Sequence, residues 1–213
     1  MDSVVRAKRE LRLAMRARAL PAPGSVARVE AGLAAAGSVA SLPAFERAET
    51  IALFASIGRE IATRPLFERA RAADKRTLFP RIVRDAHGPS AHIELAPIDA
   101  WDEFVIGELG VPSPPPGART YTLDEVGLVV VPGLAFDAAG GRLGRGGGFY
   151  DRLLGRDPVP FTCGLAYAAQ LVDEVPMAAW DVRVRAVATE RGCVIAAGAQ
   201  AIGDRCGEES GRA

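Results

Sequence analysis

The sequence predicts an α/β fold, a single domain with a mainly parallel central sheet flanked by helices on both faces. Three observations carry this prediction. A strand-helix-strand unit runs from Thr50 to Pro80, and two strands joined by a helical crossover lie parallel. Gly127 to Pro132 (GLVVVP) is an unbroken apolar run, as expected of a central strand covered on both faces. The chain has 213 residues, 49% of them hydrophobic, which suffices for one sizeable core. The domain is expected to occupy residues 1–200, and the glycine- and charge-rich residues 201–213 to form a loose tail.

Taken in order, Val4 to Leu20 reads as an amphipathic helix, because Val4, Leu11 and Met15 fall within about 40° of one another at 100° per residue. Lys8, Arg12 and Arg16, at i, i+4 and i+8, make a basic ridge beside that apolar stripe. Pro21 to Gly24 breaks the helix, and the alanine-rich stretch Val26 to Val39 forms a second, ending near Ser41 to Pro43. Thr50 to Ala55 is a buried strand. Thr63, followed by Arg-Pro, is set as the N-cap of a helix to Ala73, and Arg76 to Pro80 resumes the sheet. His92 to Leu95 is another strand. Gly107 to Arg119 holds four prolines and reads as an extended loop without helix. Phe161 to Ala166 and Val182 to Ala188 complete the predicted strands.

Lysine plus arginine equals aspartate plus glutamate at 26 each, so no overall field draws the protein to nucleic acid or to an anionic membrane. Cys163, Cys193 and Cys206 are odd in number and widely spaced, fitting neither a disulfide framework nor a zinc site. The N-terminal MDSVVRAKRELR lacks the apolar stretch of a signal peptide, and GLVVVPGLAF is too short to span a bilayer. A soluble, cytoplasmic protein is expected, with no membrane and no nucleic acid among its partners. His87 and His92 sit in no HExxH helix, no serine lies in a GxSxG elbow, and no cysteine has a recognisable histidine partner, which disfavours a metallohydrolase or a nucleophilic hydrolase.

The chemistry concentrates after the central strand, where ligands of open α/β folds bind beyond the strand ends. From Gly140 to Gly148 six of nine residues are glycine, followed by Phe149-Tyr150-Asp151-Arg152. Backbone without Cβ atoms can turn its amides onto phosphate oxygens, a helix beginning near Gly147 adds a positive N-terminus, and Arg142 and Arg145 supply charge-assisted bonds. A carboxylate beside a polyphosphate makes sense mainly with magnesium between them, which points to Asp151, with Asp137 second. The spacing fits neither the P-loop nor the dinucleotide fingerprint. A flexible linker or an arginine-glycine RNA-binding segment is the bland alternative; the apolar strand before the glycines and Phe149-Tyr150 after them speak against both.

Pro132-Gly-Leu-Ala-Phe-Asp137 followed by Gly-Arg142-Leu-Gly-Arg145-Gly-Gly-Gly-Phe-Tyr150-Asp151-Arg152 resembles the signature of the 5-formyltetrahydrofolate cyclo-ligases, or methenyltetrahydrofolate synthetases. The likeness extends to Ala7-Lys8-Arg9-Glu10-Leu11-Arg12, Ser56-Ile-Gly-Arg-Glu60-Ile-Ala-Thr63, Phe79-Pro80-Arg81, Asp173-Glu-Val-Pro176 and Asp181. The resemblance implies a three-layer fold and an ATP- and Mg2+-dependent closure of 5-formyltetrahydrofolate to 5,10-methenyltetrahydrofolate, by way of a phosphorylated formyl oxygen. By position it implies that ATP is held by Lys8, Arg12 and the run Arg142, Leu143, Gly144, Arg145, Gly146, Gly147, Gly148, Phe149, Tyr150 and Asp151. It further implies that Ser56, Glu60 and Tyr150 contact the reduced folate, that Asp151 and Asp181 hold the magnesium, and that Arg145 and Tyr150 serve catalysis. The partners are then small molecules, and a monomer is expected. Four positions depart from the family pattern: Gly147 where some members have lysine, Arg185 where aspartate is usual, Trp180 where a polar residue or histidine is usual, and Ser113 where many have glutamate. The departures are expected to cluster at the metal and folate ends of the site. They motivate the alternative of a diverged, non-catalytic paralogue that binds folate or nucleotide as a sensor or store.

Overall fold

A computed structural model describes residues 2–84, 91–155 and 159–196. His87, Cys206 and the predicted tail 201–213 lie outside the described residues. The helices are α1 (Asp2–Ala17), α2 (Val26–Ala40), α3 (Pro43–Arg47), α4 (Arg64–Ala72) and α5 (Phe149–Leu154). The strands of the main sheet are β1 (Thr50–Ala52), β2 (Arg76–Arg84), β3 (Ala91–Pro97), β4 (Leu128–Val131), β5 (Phe161–Leu165), β6 (Ala186–Thr189) and β7 (Gly192–Ile195). Their order is β7-β6-β5-β4-β1-β2-β3, with β6 to β2 parallel and one antiparallel strand at each edge.

The unbroken apolar run of β4 follows from burial on both faces. Leu128 and Val130 face the core beneath α2 and α4, where Ala35, Val39, Leu66 and Phe67 pack on Ile51 and Leu53. Val129 and Val131 face the opposite core with Phe136, Leu153 and Leu154. Fully burying each such side chain stabilises the fold by about 1.5–3 kcal/mol. A third, smaller cluster fixes α1: Met15 and Leu11 pack on Ala135, Leu143 and Val175, so the predicted apolar stripe seats the helix on the short hairpin formed by Ala135–Phe136 and Arg142–Leu143. With that face inward, Lys8 and Arg12 are half-buried toward the protein, while Arg16, the third member of the ridge, is exposed.

Several local readings are corrected. Val182–Ala188 is not a continuous strand. Val184 N donates to Gly140 O at 2.8 Å and Val182 N to Asp151 Oδ1 at 3.4 Å, so this stretch docks on the glycine segment before β6 begins at Ala186. β7, which closes that edge, and the short α3, which Pro43 opens rather than ends, carry no strong sequence signal. The proline-rich loop is not wholly extended: Glu108–Gly110 forms a 3-10 turn, and Pro112–Ser113 pairs antiparallel with Val105–Ile106. Thr63 stands at the N-cap of α4, yet its hydroxyl makes no cap bond and instead meets Ser56.

Candidate active site

The chain runs from β1 outward to β2 on one side of the sheet, and from β4 to β5 and β6 on the other. β1 and β4 are therefore adjacent strands at a topological switch point, where the loops leaving their carboxyl ends part and open a crevice. A cavity of about 1450 Å³ lies there, larger than the roughly 300–1,000 Å³ typical of a single small ligand. It has room for two substrates side by side. Its lining combines residues after β1 (Phe54, Ala55, Ile57, Glu60), residues after β4 (Pro132, Gly133), the whole run 142–152, and Lys8 and Arg12 from α1.

The glycine segment is held open by its backbone. Gly140 has φ +81°, and a Cβ there would lie 2.1 Å from Val184 O, so this position admits only glycine. The buried Asp137 fixes the same turn: Oδ1 accepts from Ala139 N and Gly141 N at 2.9 and 2.7 Å, and Oδ2 accepts from Val175 N at 2.8 Å. Asp137 is thus a scaffold carboxylate bound to three amides, not a second metal ligand, and it lies outside the cavity lining. Gly148, at φ +64°, enters α5, which is only six residues long. So short a helix adds little dipole, and the attraction for anions rests on the arginines and on loop amides.

The charged groups of the cavity stand in pairs. Arg142, 3% exposed, donates from Nη2 to Asp151 Oδ1 at 2.8 Å and from Nη1 to Pro132 O at 3.3 Å, leaving its buried Nε without a partner. Arg145, 56% exposed, donates from Nη2 and Nε to Glu60 Oε1 at 2.8 and 3.2 Å. Glu60 Oε2 accepts from Ile57 N at 2.9 Å, and Arg28 holds the Glu60 carbonyl at 2.9 Å, which sets the carboxylate at the end of a braced loop. Lys8 Nζ donates to Asp181 Oδ2, and Arg12 Nε to Gly144 O at 3.0 Å. Tyr150 lies with its ring 5.7 Å from the Arg142 guanidinium. Burial, reinforced by Glu60 and opposed by Arg142, pushes its hydroxyl well above the usual tyrosine range, so it keeps its proton at neutral pH.

Thus the structure brings together Lys8, Arg12, Glu60, Arg142, Gly144 to Gly148, Phe149, Tyr150, Asp151 and Asp181 around one cavity. Leu143 also borders it, though its side chain is buried against α1. Ser56 does not line it. Its hydroxyl donates to Ile61 O at 2.6 Å and accepts from Thr63 N at 2.8 Å, bracing the loop that carries Glu60. Of the four departures, Gly147 and Trp180 border the cavity. Arg185 lies outside the lining, its amide bonded to Thr162 O at 3.0 Å, and Ser113 is buried with its hydroxyl on Val111 O at 3.3 Å. Two of the four departures therefore border the cavity and two do not. Motif reading missed the apolar wall of Ile82, Ile93, Leu109 and Val111, and it left Arg152 without a role. Arg152 stacks on Phe149 at 5.0 Å and donates to Gly147 O and Ala91 O at 3.0 and 3.2 Å, tying the glycine segment to β3.

The family model of the 5-formyltetrahydrofolate cyclo-ligases matches residues 4–190. The chain belongs to that family. Among cyclo-ligase relatives, the 5-formyltetrahydrofolate cyclo-ligase of Escherichia coli K12 is 34% identical over 167 residues, covering 75% of this chain and 88% of that protein. The enzyme of the same name from Mus musculus is 29% identical, covering 86% and 94%. The NMR structure of 5,10-methenyltetrahydrofolate synthetase from Aquifex aeolicus matches with a TM-score of 0.68 at 25% identity, over 98% of this chain and 96% of that one. A synthetase structure from Mycoplasma pneumoniae, 19% identical with a TM-score of 0.63, shares the fold.

Proposed function

We propose that this chain is a ligase that uses ATP and Mg2+ to close 5-formyltetrahydrofolate to 5,10-methenyltetrahydrofolate, releasing ADP and phosphate. The observation that carries the reading is one cavity, at the switch point of a cyclo-ligase fold, whose lining includes Lys8, Arg12, Arg142 and Arg145 together with the acids Glu60, Asp151 and Asp181. Lys8, Arg12, Arg142 and Arg145, with the amides of Gly144 to Gly148, neutralise the triphosphate. Glu60 presents a carboxylate to the paired donors of the pterin edge. In the reaction the formyl oxygen attacks the γ-phosphorus while the bond to the β-phosphate oxygen breaks and ADP departs. The second folate nitrogen then bonds to the formyl carbon and loses its proton, and the former formyl oxygen leaves as phosphate.

Little covalent chemistry falls to the protein, so catalysis is positioning and charge neutralisation. Arg145, the most exposed of the phosphate cations, meets the transferring phosphoryl group, and Tyr150, held protonated, donates a hydrogen bond between the two substrates. Asp151 and Asp181 fit magnesium: both are hard oxygen donors, and among the described residues Asp151 Oδ2 and Asp181 Oδ1 make no hydrogen bond. Held by these two carboxylates, magnesium would supply neutralisation of phosphate charge. Purified protein, 5-formyltetrahydrofolate and magnesium, mixed with and without ATP, test the proposal. An ATP-dependent rise in the near-ultraviolet absorbance of the methenyl product is expected. Binding of both substrates without any rise would instead favour the non-catalytic paralogue.

A further inference from the structure

Apart from the cations, one side of the cavity is apolar in a way that phosphates do not explain. Trp180 is 60% exposed and lines the cavity, together with Val4 and Val5 of α1 and with Met177. So large an exposed aromatic ring on a rigid support marks a binding surface rather than ordinary surface composition. The support is rigid because the turn from Ala178 to Asp181 is closed twice. Asp181 N donates to Ala178 O at 3.1 Å, and Ala178 N donates to Asp181 Oδ2 at 2.5 Å. The same Asp181 oxygen accepts from Lys8 Nζ, which ties the turn to α1. Ala178 and Ala179, the neighbours in the turn, are too small to cover the ring.

Val4, Lys8 and Arg12 form one row of α1 at four-residue spacing, so the row reads apolar, cation, cation over roughly 12 Å. A ligand lying along it passes from an aromatic and aliphatic slot to phosphate-binding charges. The other apolar wall, with Phe54, Ile82 and Ile93, lies on the Glu60 side of the cavity. We infer that Trp180 is the stacking platform for the purine base of the bound nucleoside triphosphate, with Val4 and Val5 edging the slot, and that it sets the preference for purine over pyrimidine nucleotides. This assignment rests on the nucleotide reading proposed above. A stacked ring has the larger overlap with a bicyclic base, and the described residues that form the slot, Val4, Val5, Met177 and Trp180, carry no charge to read the base edge, so adenine and guanine are separated less than purine and pyrimidine.

Calorimetry on the intact protein with Mg-ATP, Mg-CTP and Mg-tripolyphosphate tests it, using Trp180→Ala and Trp180→Phe. Trp180→Ala is expected to weaken Mg-ATP about ten-fold or more while leaving tripolyphosphate unchanged, and Trp180→Phe to restore most of the loss. The protein has two tryptophans, and Trp101 is packed among Phe67, Phe79 and Phe104, so quenching of emission by Mg-ATP that disappears in Trp180→Phe reports the ring directly. Equal weakening of ATP and tripolyphosphate would reduce Trp180 to a brace for the loop and overturn the inference. So would a loss of 5-formyltetrahydrofolate affinity in place of ATP affinity. If the unaltered protein binds no Mg-ATP at all, the proposed function fails with it; unaltered ATP binding by Trp180→Ala sinks the stacking assignment alone.

Discussion

Arg142 and Arg145 are three residues apart in one glycine-rich segment, and each is paired with a carboxylate, yet the two pairs are built oppositely. Arg142 is 3% exposed and Asp151 20%, and the guanidinium is also held by Pro132 O and covered by Tyr150. Arg145 is 56% exposed, and its partner Glu60 comes from the loop after β1, on the far side of the cavity mouth. The first pair is part of the scaffold: both charges belong to the same segment, and the fold has already removed them from water. The second joins the loop after β1 to the glycine segment, and its cation, more than half exposed, can move into water, while Glu60, 13% exposed, keeps the Ile57 amide as a partner. One sequence motif therefore supplies both a fixed electrostatic floor and a movable cation.

The comparison breaks most visibly at Arg142. Arg142→Ala leaves Asp151 without its charged partner and takes the guanidinium from the Pro132 carbonyl, and the expected loss of folding stability is about 3–5 kcal/mol. Urea unfolding checks this as a lowered midpoint with an unchanged slope; a midpoint near the parent's would show the pair to be dispensable for the fold. Arg145→Ala should do the reverse. Stability is expected to fall by less than in Arg142→Ala, because the Ile57 amide still holds Glu60, while turnover falls roughly 10²–10³-fold. Full activity in that variant would remove Arg145 from the phosphate clamp. The smallest effect is expected at Asp151→Asn, which keeps an oxygen for Arg142 and loses the charge for the metal. A magnesium titration of activity should shift its midpoint upward by about ten-fold or more, and an unmoved midpoint would locate the ion elsewhere.

How much of this was readable beforehand differs along the same chain. A parallel pair and a central strand were readable from hydrophobic runs and a crossover helix, because burial on two faces leaves an unmistakable apolar pattern in Ile51 to Phe54 and in Leu128 to Val131. The glycine segment pointed to phosphate by composition, whereas the basic ridge was tied to it only through the family resemblance. The hairpin of Ala135–Phe136 with Arg142–Leu143 was not readable, since its order comes from the three amide bonds of Asp137 rather than from β-forming residues. Val182 to Arg185 looked like a strand for its alternating valines, but backbone bonds to Gly140 and Asp151 drew it onto the glycine segment. Ser56 sits inside a motif yet braces a loop, and the apolar wall of Ile82, Ile93 and Val111 belongs to no motif, because its residues are ordinary strand and loop hydrophobes until the fold gathers them.

The Lys8–Asp181 contact joins residues 173 positions apart. During synthesis the lysine leaves the ribosome long before its partner has been made, and at roughly 5–20 residues per second the interval is about ten to thirty-five seconds. No nascent fragment ending before Asp181 holds the complete cavity lining. The finished chain gains in the opposite sense: a ligand that touches both ends of the polypeptide binds only the fully folded state, and saturation at a hundred times its dissociation constant adds about 2.7 kcal/mol of stability. Under the proposed function, the substrates are the clasp that the short hairpin and Lys8 do not provide alone.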